Sequence, residues 1–524
     1  MGLGIFSGIE NLEDARNRLC LLLEILKDGF LLSQGSDKNH VKMHDVVRDV
    51  AISIASEGEH NFMDNFFDEM SNLNVLSLRG HSYEQSIIRF PASIRSLSSL
   101  RTLCLSNLRL DDISFIGELV ELKILSIRDC ELDELPEEIG KLTKLIRLEF
   151  WNECITLKRI SAGVIGKLAQ LEELHIVEVE DLSDVMYSNL GLPSKLTRYT
   201  LEMCYWNSRF DEYDKIIALK VTETRPLGDW ICHLLKESEF VESRGKGSNN
   251  VLTELQLNEF QNVKCLHLSE CDLMTHLLKR THEVIKFPNL YELRIQVMHC
   301  LTHFCSDNVE RIEFPLLRKM FFYGLPEFQN FRLTANNSNP LFDEKVSCPN
   351  LEELTIWKLE SISALCSHQL PTDYFTKLQT LDAMNCGKLR NLMSPSVVKG
   401  LLNLKKLHIE DCESMEEGIT KGEGIMTLFP RLQELKLRNL PKLGHFYLTE
   451  HALEFPFLKE VIIIECPEMK TFVQQGIVVS TLILKCDDEV KVDDLNKWIQ
   501  ERSNPLFDEK VCFLSPICFL LLEH

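Results

Sequence analysis

The sequence has no long apolar run and no N-terminal export signal. No window of its 524 residues approaches the roughly 18 consecutive apolar residues of a membrane-spanning helix. The first residues, MGLGIFSGIENLEDARNRL, lack the basic, apolar and small-residue order of a signal peptide. The most apolar stretch, VCFLSPICFLLLEH, is short and is interrupted by Ser515 and Pro516. These absences predict no integral membrane segment and a cytoplasmic location.

The chain has fewer positively charged than negatively charged residues. It has 57 Lys and Arg against 79 Asp and Glu, which gives a net charge of −22. Such a surface repels phosphate backbones and anionic lipid headgroups, so we expect no nucleic acid among the partners. Its 18 cysteines, without an export signal, are expected to be reduced thiols rather than a disulfide framework.

What the sequence does contain is a repeating pattern of leucines. From Leu73 onward the motif L-x-x-L-x-L returns, often with a cysteine three residues later, as in LKILSIRDCEL and VKCLHLSECDL. The middle position of the motif falls at residues 76, 103, 125, 148, 174 and 199, and then at 266, 293, 320, 354, 381, 407, 435 and 461. Most spacings lie in the range of about 20–29 residues that is typical of leucine-rich repeats. The predicted fold is therefore an α/β leucine-rich-repeat solenoid, with a curved parallel sheet on its concave face.

The cysteine that follows the motif is predicted to have a structural role. It lies where the chain turns away from the sheet, and its thiol can donate to a carbonyl that would otherwise be unsatisfied. The cysteines at this position are Cys130, Cys271, Cys386, Cys412 and Cys466.

The pattern also divides the chain into segments. Residues 63–202 and 251–485 are predicted to form two arcs of repeats, separated by an irregular insertion at 203–250. In the insertion, IIALKV predicts a strand, LGDWICHLLKESEF a short helix and ESRGKGSNN a surface loop. Residues 486–524 are predicted to be irregular. They include a second copy of SNPLFDEKV, first present at 338–346, which indicates a repeat block that is cut off before its next strand.

Residues 1–62 carry a different pattern. LEDARNRLCLLLEIL has helical spacing, GFLLSQGSDKNHVKMH predicts a hairpin with Gly35 in its turn, and VVRDVAISIAS predicts a second helix. This order resembles part of a winged-helix module. Winged helices commonly bind DNA, but this helix offers only Arg48 between Asp45 and Asp49, so DNA binding is disfavoured.

The stretch VKMHDVVRDVAISIAS, followed by leucine-rich repeats, resembles the plant nucleotide-binding leucine-rich-repeat disease resistance proteins, in the branch with an N-terminal coiled coil. That family has a Met-His-Asp motif, matched here by Met43, His44 and Asp45. In the family its histidine approaches the phosphates of bound ADP, where a helix N-terminus already favours an anion. The resemblance implies an intracellular immune receptor that is switched by ADP and ATP. From spacing alone, a histidine at a strand end beside a helix N-cap is the alternative.

The sequence lacks the phosphate-binding loop G-x-x-x-x-G-K-[ST] of that family, and its coiled coil. We therefore expect no ADP or ATP as a cofactor of this chain. His44 and Asp45 are interpreted as a remnant of the nucleotide contact. The chain is interpreted as a partial receptor.

Outward positions between the inward leucines form the candidate recognition face. Those singled out are Arg128, Trp151, His175, Phe321, Tyr323 and Trp357. Aromatic residues and arginine are favoured interface anchors, and the concave face of a solenoid is its usual binding surface. The predicted function is recognition of a protein: a pathogen effector, a guarded host protein or a nucleotide-binding module. A stand-alone repeat scaffold or decoy, without nucleotide dependence, is the alternative.

One stretch has the composition of a metal site. HCLTHFC gathers His299, Cys300, His303 and Cys305, but the separated ligand pairs of a zinc site are lacking. We predict no metal site and no catalytic residues. ATP hydrolysis is disfavoured because the phosphate loop is absent, and the chain is predicted not to be an enzyme.

Overall fold

The computed structural model describes most of residues 65–473. The gaps within this range are 66, 69, 80–86, 89, 111, 133, 153–156, 161, 178, 188–192, 204–211, 279–283, 306–308, 333–339, 368–369, 421–428 and 449–452. Outside it, the structure describes the strands Leu32–Gln34, Val41–Met43, Ile477–Val478, Leu482–Cys486 and Asp488–Val492. The chain forms two compact units, which are Met1–Lys220 with Arg225–Val241, and Val221–Thr224 with Glu242–His524.

The first unit is built on a parallel sheet whose strands are neighbours in chain order. Its strands are Val75–Arg79, Thr102–Ser106, Ile124–Arg128, Arg147–Trp151, Glu173–Val177, Arg198–Glu202 and Lys215–Lys220. The strand Phe240–Arg244 is divided after Val241, so that its last three residues belong to the second unit.

The second unit repeats the same design. Its parallel strands are Cys265–Ser269, Glu292–Gln296, Lys319–Tyr323, Glu353–Trp357, Thr380–Met384, Lys406–Glu410, Glu434–Arg438, Glu460–Ile464 and Leu482–Cys486. Asp488–Val492 pairs antiparallel with the last of them.

These strands confirm the predicted repeat. Every middle position of the leucine motif is the second residue of a sheet strand, beginning with Leu76 and ending with Val461. Side chains alternate along a strand, so the second and fourth residues of each strand share one face. This face is the core: Leu293 and Ile295, for example, have no exposed surface. The fold is a leucine-rich-repeat solenoid in each unit.

Short elements return the chain from one strand to the next. In the first unit they are 3-10 helices Ala92–Ser96, Ser114–Glu118 and Glu137–Lys141, and α-helices Ala162–Ile165, Ser183–Met186 and Asp229–Glu237. The second unit has the helices Ser248–Leu257 and Pro395–Gly400.

Return segments also pair with each other in small parallel sheets. In the first unit, Ile87–Ile88 pairs with Arg109–Leu110, and Leu157–Arg159 with Val179–Asp181. The corresponding strands of the second unit are His276–Leu278, His303–Cys305 and Asn330–Arg332; Val284–Lys286, Arg311–Glu313 and Val346–Ser347; Pro340–Phe342 and Ala364–Cys366; Glu417–Ile419, His445–Tyr447 and Thr471–Val473; and Leu453–Glu454 and Ile477–Val478.

A recurrent turn follows the sheet strands. The residue after the strand has a positive φ angle at Asn107 (53°), Asp129 (50°), Glu270 (56°), Val297 (47°), Gly324 (63°), Lys358 (56°), Asn385 (52°), Asp411 (52°), Asn439 (48°) and Glu465 (54°). In the nine turns from Asn107 to Asn439, this residue's N–H donates to the last carbonyl of the next strand, for example from Asp129 to Trp151 over 2.8 Å. The turn therefore ties each repeat to its successor.

The predicted structural role of the repeat cysteines is confirmed. Each Sγ lies close to the carbonyl oxygen two residues earlier, at 3.3 Å for Cys130, 3.0 Å for Cys271, 3.4 Å for Cys386, 3.3 Å for Cys412 and 3.4 Å for Cys466. Burial raises the pKa of Cys130 and Cys271 to about 11, which keeps these thiols protonated as donors.

The segment 203–250 contains regular elements. Its predicted strand and helix are present as Lys215–Lys220 and Asp229–Glu237, and the strand pairs with Arg198–Glu202. The predicted loop at 242–250 is wrong, because a strand ends at Arg244 and the helix Ser248–Leu257 begins four residues later. The glycines that suggested a loop make a tight turn: a Cβ at Gly247 would lie 2.1 Å from the carbonyl oxygen of Glu223.

The predicted N-terminal hairpin is present as far as the structure describes it. Leu32–Gln34 pairs antiparallel with Val41–Met43. The helices predicted on either side of it, and the motif residues His44 and Asp45, lie outside the described residues.

The positive φ angle of the recurrent turn predicts that replacing its glycine by alanine destabilises the fold. Gly324 has φ +63°, and its Cβ would meet nothing closer than 3.5 Å, so Gly324→Ala introduces backbone strain without a clash. We expect the free energy of unfolding to fall by about 1 kcal/mol. Gly387 has open space and no positive φ, so Gly387→Ala is the matched control. Denaturant unfolding of both variants checks this, and an equal loss in the control would contradict it.

Candidate functional site

The first, third and fifth residues of each strand face outward from the repeat core. The singled-out residues occupy these positions: Arg128, Trp151, Tyr323 and Trp357 are fifth, while His175 and Phe321 are third. Because the strands are in register, residues with the same position on adjacent strands are direct neighbours. Arg128 therefore lies opposite Trp151, and Tyr323 opposite Trp357.

In the first unit, Arg128 links the aromatic ring to a buried acid. Its guanidinium carbon is 5.7 Å from the centre of the Trp151 ring, within the range of a cation–π contact. Its Nη2 is also 2.5 Å from Oε1 of Glu149, which is only 7% exposed. Two anchors predicted from sequence thus form one contact pair.

His175 lies on the same face beside a network of acids and arginines. Its Nδ1 is 3.2 Å from the Thr200 hydroxyl. Arg147 bridges Glu149 and Glu173, at 3.0 and 3.1 Å. Burial acts to raise the pKa of Glu149, but Arg147, Arg128 and His175 hold it below its ordinary value. The Glu149 carboxylate therefore remains charged although it is buried.

In the second unit the outward aromatic residues lie together with two cations. The rings of Tyr323 and Trp357 are 4.7 Å apart, and Lys358 Nζ is 5.6 and 6.0 Å from their centres. The guanidinium of Arg294 is 5.7 Å from the Phe321 ring. We call these five residues the aromatic patch. They are carried by three consecutive strands and by the turn after the last one.

Further along this face, a histidine lies between two carboxylates. His408 Nδ1 is 3.0 Å from Oδ1 of Asp382, and its Nε2 is 3.0 Å from Oε1 of Glu434. Pairing with Asp382 is the main cause that raises the pKa of His408, and the charge of Glu434 adds to it against the opposing effect of burial.

The cysteines and histidines of HCLTHFC do not form a metal-binding group. His303 and Cys305 lie on a buried return strand, whereas His299 pairs with Asp272 over 2.8 Å on the exposed surface. In the described part of the chain, the one group of three potential ligands is Cys265, His267 and Glu292. The sequence did not predict this group.

Sequence reasoning also missed Arg294 and Lys358, which complete the aromatic patch. The signal that could have found Arg294 was available: it is the third residue of its strand, as Phe321 is of the next. Lys358 was harder to find, since it lies in the turn after the strand with φ 56°.

The repeat geometry agrees with comparisons to known proteins. A profile described as a leucine-rich repeat region matches residues 51–329, more than half of the 524-residue chain. The chain belongs to the leucine-rich-repeat family. A second profile, for leucine-rich repeats of plant disease resistance proteins like RPS2, matches residues 327–413.

Relatives of this leucine-rich-repeat chain are disease resistance proteins of Arabidopsis thaliana. Disease resistance protein At4g27190 is 26% identical over 90% of the chain and 52% of its own length. Probable disease resistance protein At1g61190 is 24% identical over 87% of the chain and 40% of its own length. The chain spans about half of these relatives or less. Its repeats are thus similar to those of disease resistance proteins, as the sequence resemblance indicated.

A solved structure, the plant peptide hormone receptor RGFR1 in complex with RGF2, is 14% identical, with 81% of this chain and 77% of that chain covered and a TM-score of 0.32. Within the described part of the leucine-rich-repeat chain, no helix combines the length and apolarity needed to cross a membrane.

The histidine between two acids predicts a pH-dependent stability. A raised pKa means that His408 stabilises the fold fully below its ordinary value of 6.5 and that the contribution is lost as pH rises through the higher folded-state value. We expect His408→Asn to lower the melting temperature most at about pH 6 and progressively less at higher pH.

The exposed pair of His299 and Asp272 supplies the control. Their side chains are 61% and 55% exposed, so His299→Asn should change stability little at any pH. Calorimetric melting across the pH range checks both variants. A loss of melting temperature in His408→Asn that grows as pH rises would contradict the prediction.

Proposed function

We propose that this chain is the recognition region of a plant disease resistance protein and that it binds a protein partner through its outward sheet face. The observation that carries the proposal is the aromatic patch. Tyrosine, tryptophan and arginine dominate the binding energy of protein interfaces, because their large side chains combine apolar area with polar groups. Here they lie on consecutive strands that the repeat holds in register.

The patch has a geometry suited to a rigid contact surface. Tyr323 and Trp357 pack against each other at 4.7 Å, so little side-chain freedom remains to be lost on binding. Arg294 and Lys358 place positive charge beside the rings. A partner segment with apolar and acidic side chains would complement both features. In the first unit, Arg128 and Trp151 offer a smaller version of the same chemistry.

We propose a pathogen effector, a guarded host protein or a nucleotide-binding module as this partner. Relatives named as disease resistance proteins support the first two classes. The third is supported by the resemblance at Met43, His44 and Asp45, which places a nucleotide-binding module before the repeats in the family. The role is proposed to be binding without catalysis. A cytoplasmic location is supported by reduced thiols such as those of Cys130 and Cys271.

A triple alanine variant tests the recognition surface. Trp151→Ala, Tyr323→Ala and Trp357→Ala together remove the large rings of both units, and we expect them to weaken partner binding about tenfold or more. Proximity labelling in plant cells identifies candidates, and titration of the purified leading candidate gives the dissociation constant.

A matched control removes apolar surface elsewhere. Leu316, Leu402 and Phe457 are 48%, 51% and 57% exposed and lie outside the sheet strands. Their combined alanine variant should bind like the unmodified chain. Unchanged affinity in the tryptophan and tyrosine variant, with folding intact, would overturn the proposal.

A second candidate function is a stand-alone scaffold or decoy whose binding does not depend on nucleotide. It is favoured by a sequence that keeps His44 and Asp45 but contains no phosphate-binding loop. We propose that the ADP/ATP switch of the family does not operate in this chain and that it needs no cofactor for recognition.

Titration calorimetry with ADP tests nucleotide dependence directly. We expect no binding heat up to about 1 mM ADP, because one histidine cannot replace a loop of backbone donors around the phosphates. His44→Ala should behave identically. Tight binding that His44→Ala abolishes would restore the switch mechanism and contradict this prediction.

A further inference from the structure

Three side chains with different metal-binding atoms meet on the outward face of the second unit. Cys265 and His267 are the first and third residues of one strand, and Glu292 is the first residue of the next. The register places Glu292 directly opposite Cys265. His267 Nε2 is 3.1 Å from Cys265 Sγ and 3.2 Å from Glu292 Oε1. All three donor atoms lie within 4.8 Å of one another.

We propose that Cys265, His267 and Glu292 bind a divalent cation of the zinc class. Thiolate, imidazole and carboxylate are the zinc ligands of proteins, with bonds of about 2.0–2.3 Å that place neighbouring ligand atoms a little over 3 Å apart. The two spacings at His267 Nε2 fit that geometry. A sulfur and a nitrogen donor disfavour magnesium and calcium, which take oxygen ligands. Three protein ligands leave a fourth position open for water.

The surroundings support the histidine as a ligand. Its other nitrogen, Nδ1, is 3.9 Å from Oε2 of Glu242. A carboxylate behind a metal-binding histidine is the usual outer partner, because it orients the ring and directs Nε2 toward the metal. Glu242 is itself held by Arg244, whose Nε is 3.3 Å from Oε1.

Burial also favours an ion at this position. Cys265 and Glu292 are 0% and 1% exposed, and a buried carboxylate requires a compensating charge. Arg294 supplies part of it, since its Nε is 2.5 Å from Oε1 of Glu292. That is the same oxygen that faces His267, so a bound cation and Arg294 would compete for it. The side chain of His267 is 16% exposed, which leaves a route from solvent.

The test is titration of the metal-free full chain with Zn²⁺, using a chromophoric chelator as competitor, and with Co²⁺ as a spectroscopic probe. We expect one site with a thiolate-to-cobalt charge-transfer band. Cys265→Ser should remove the band and weaken Zn²⁺ binding more than about a hundredfold, and Glu242→Gln should weaken it about tenfold. Arg294→Gln removes the competitor and should tighten binding.

Cys300→Ser is the matched control, because Cys300 is an exposed thiol next to His299. It should keep the cobalt band and the Zn²⁺ affinity of the unmodified chain. A band that survives Cys265→Ser but disappears in Cys300→Ser would overturn the proposal, as would no band in the unmodified chain. If Cys265→Ser does not fold, Glu292→Gln and Arg294→Gln test the proposed site instead. Unchanged Zn²⁺ affinity in both of these variants would also overturn the proposal.

Discussion

The register between neighbouring parallel strands is the constraint on which the rest of this molecule depends. Side chains alternate along a strand, so a shift of one residue would turn every inward leucine outward and every outward residue into the core. Pairs such as Leu266 with Leu293 and Leu381 with Leu407 fix the register by burial. The recurrent turn reinforces it by joining each strand end to the next. Arg128 meets Trp151, and Tyr323 meets Trp357, only because this alignment holds.

The outward face of the sheet contains buried charged residues as well as aromatic contact residues. Glu149, Glu173 and Glu292 are outward by position but are 7%, 2% and 1% exposed, because arginines and histidines on the same or adjacent strands lie against them. Removing one member of such a network leaves a charge without compensation, which costs more than the pair contributes. The aromatic rings, by contrast, can be truncated without stranding a charge. On this face, the charged residues depend on each other for stability, whereas the aromatic contact residues can be replaced one at a time.

Much of the fold could be predicted from sequence, because the leucine spacing alone identified fourteen sheet strands between Leu76 and Val461. The loop prediction at 242–250 failed for a physical reason. Glycine is common in loops, but Gly245 is needed here for a left-handed backbone with φ 90°, and Gly247 for a close approach to Glu223. Composition does not distinguish a flexible loop from a turn that only glycine can make.

The candidate sites were only partly predictable, and the reason is cross-strand distance. Trp151 and Tyr323 could be identified as outward anchors from their own repeats. The group of Cys265, His267 and Glu292 could not be identified in this way, because Glu292 is separated from the other two by a whole repeat in sequence. Only the pairing of Leu266 with Leu293 shows that Glu292 faces Cys265. Once the strand register is known, the sequence is sufficient to place Glu292 opposite Cys265.

The recurrent turn has a mechanical consequence. In nine of these turns, the positive-φ residue donates its N–H to the strand that follows it, as Val297 does to Tyr323 over 2.8 Å. Adjacent repeats thus share a bond at the same point in every turn, and each repeat contacts mainly its two neighbours. A force applied along the stack of repeats in either unit would act on these bonds in series, so each junction between repeats would carry the full force. Under tension, either unit should then lengthen stepwise, with each step releasing one repeat's length of chain.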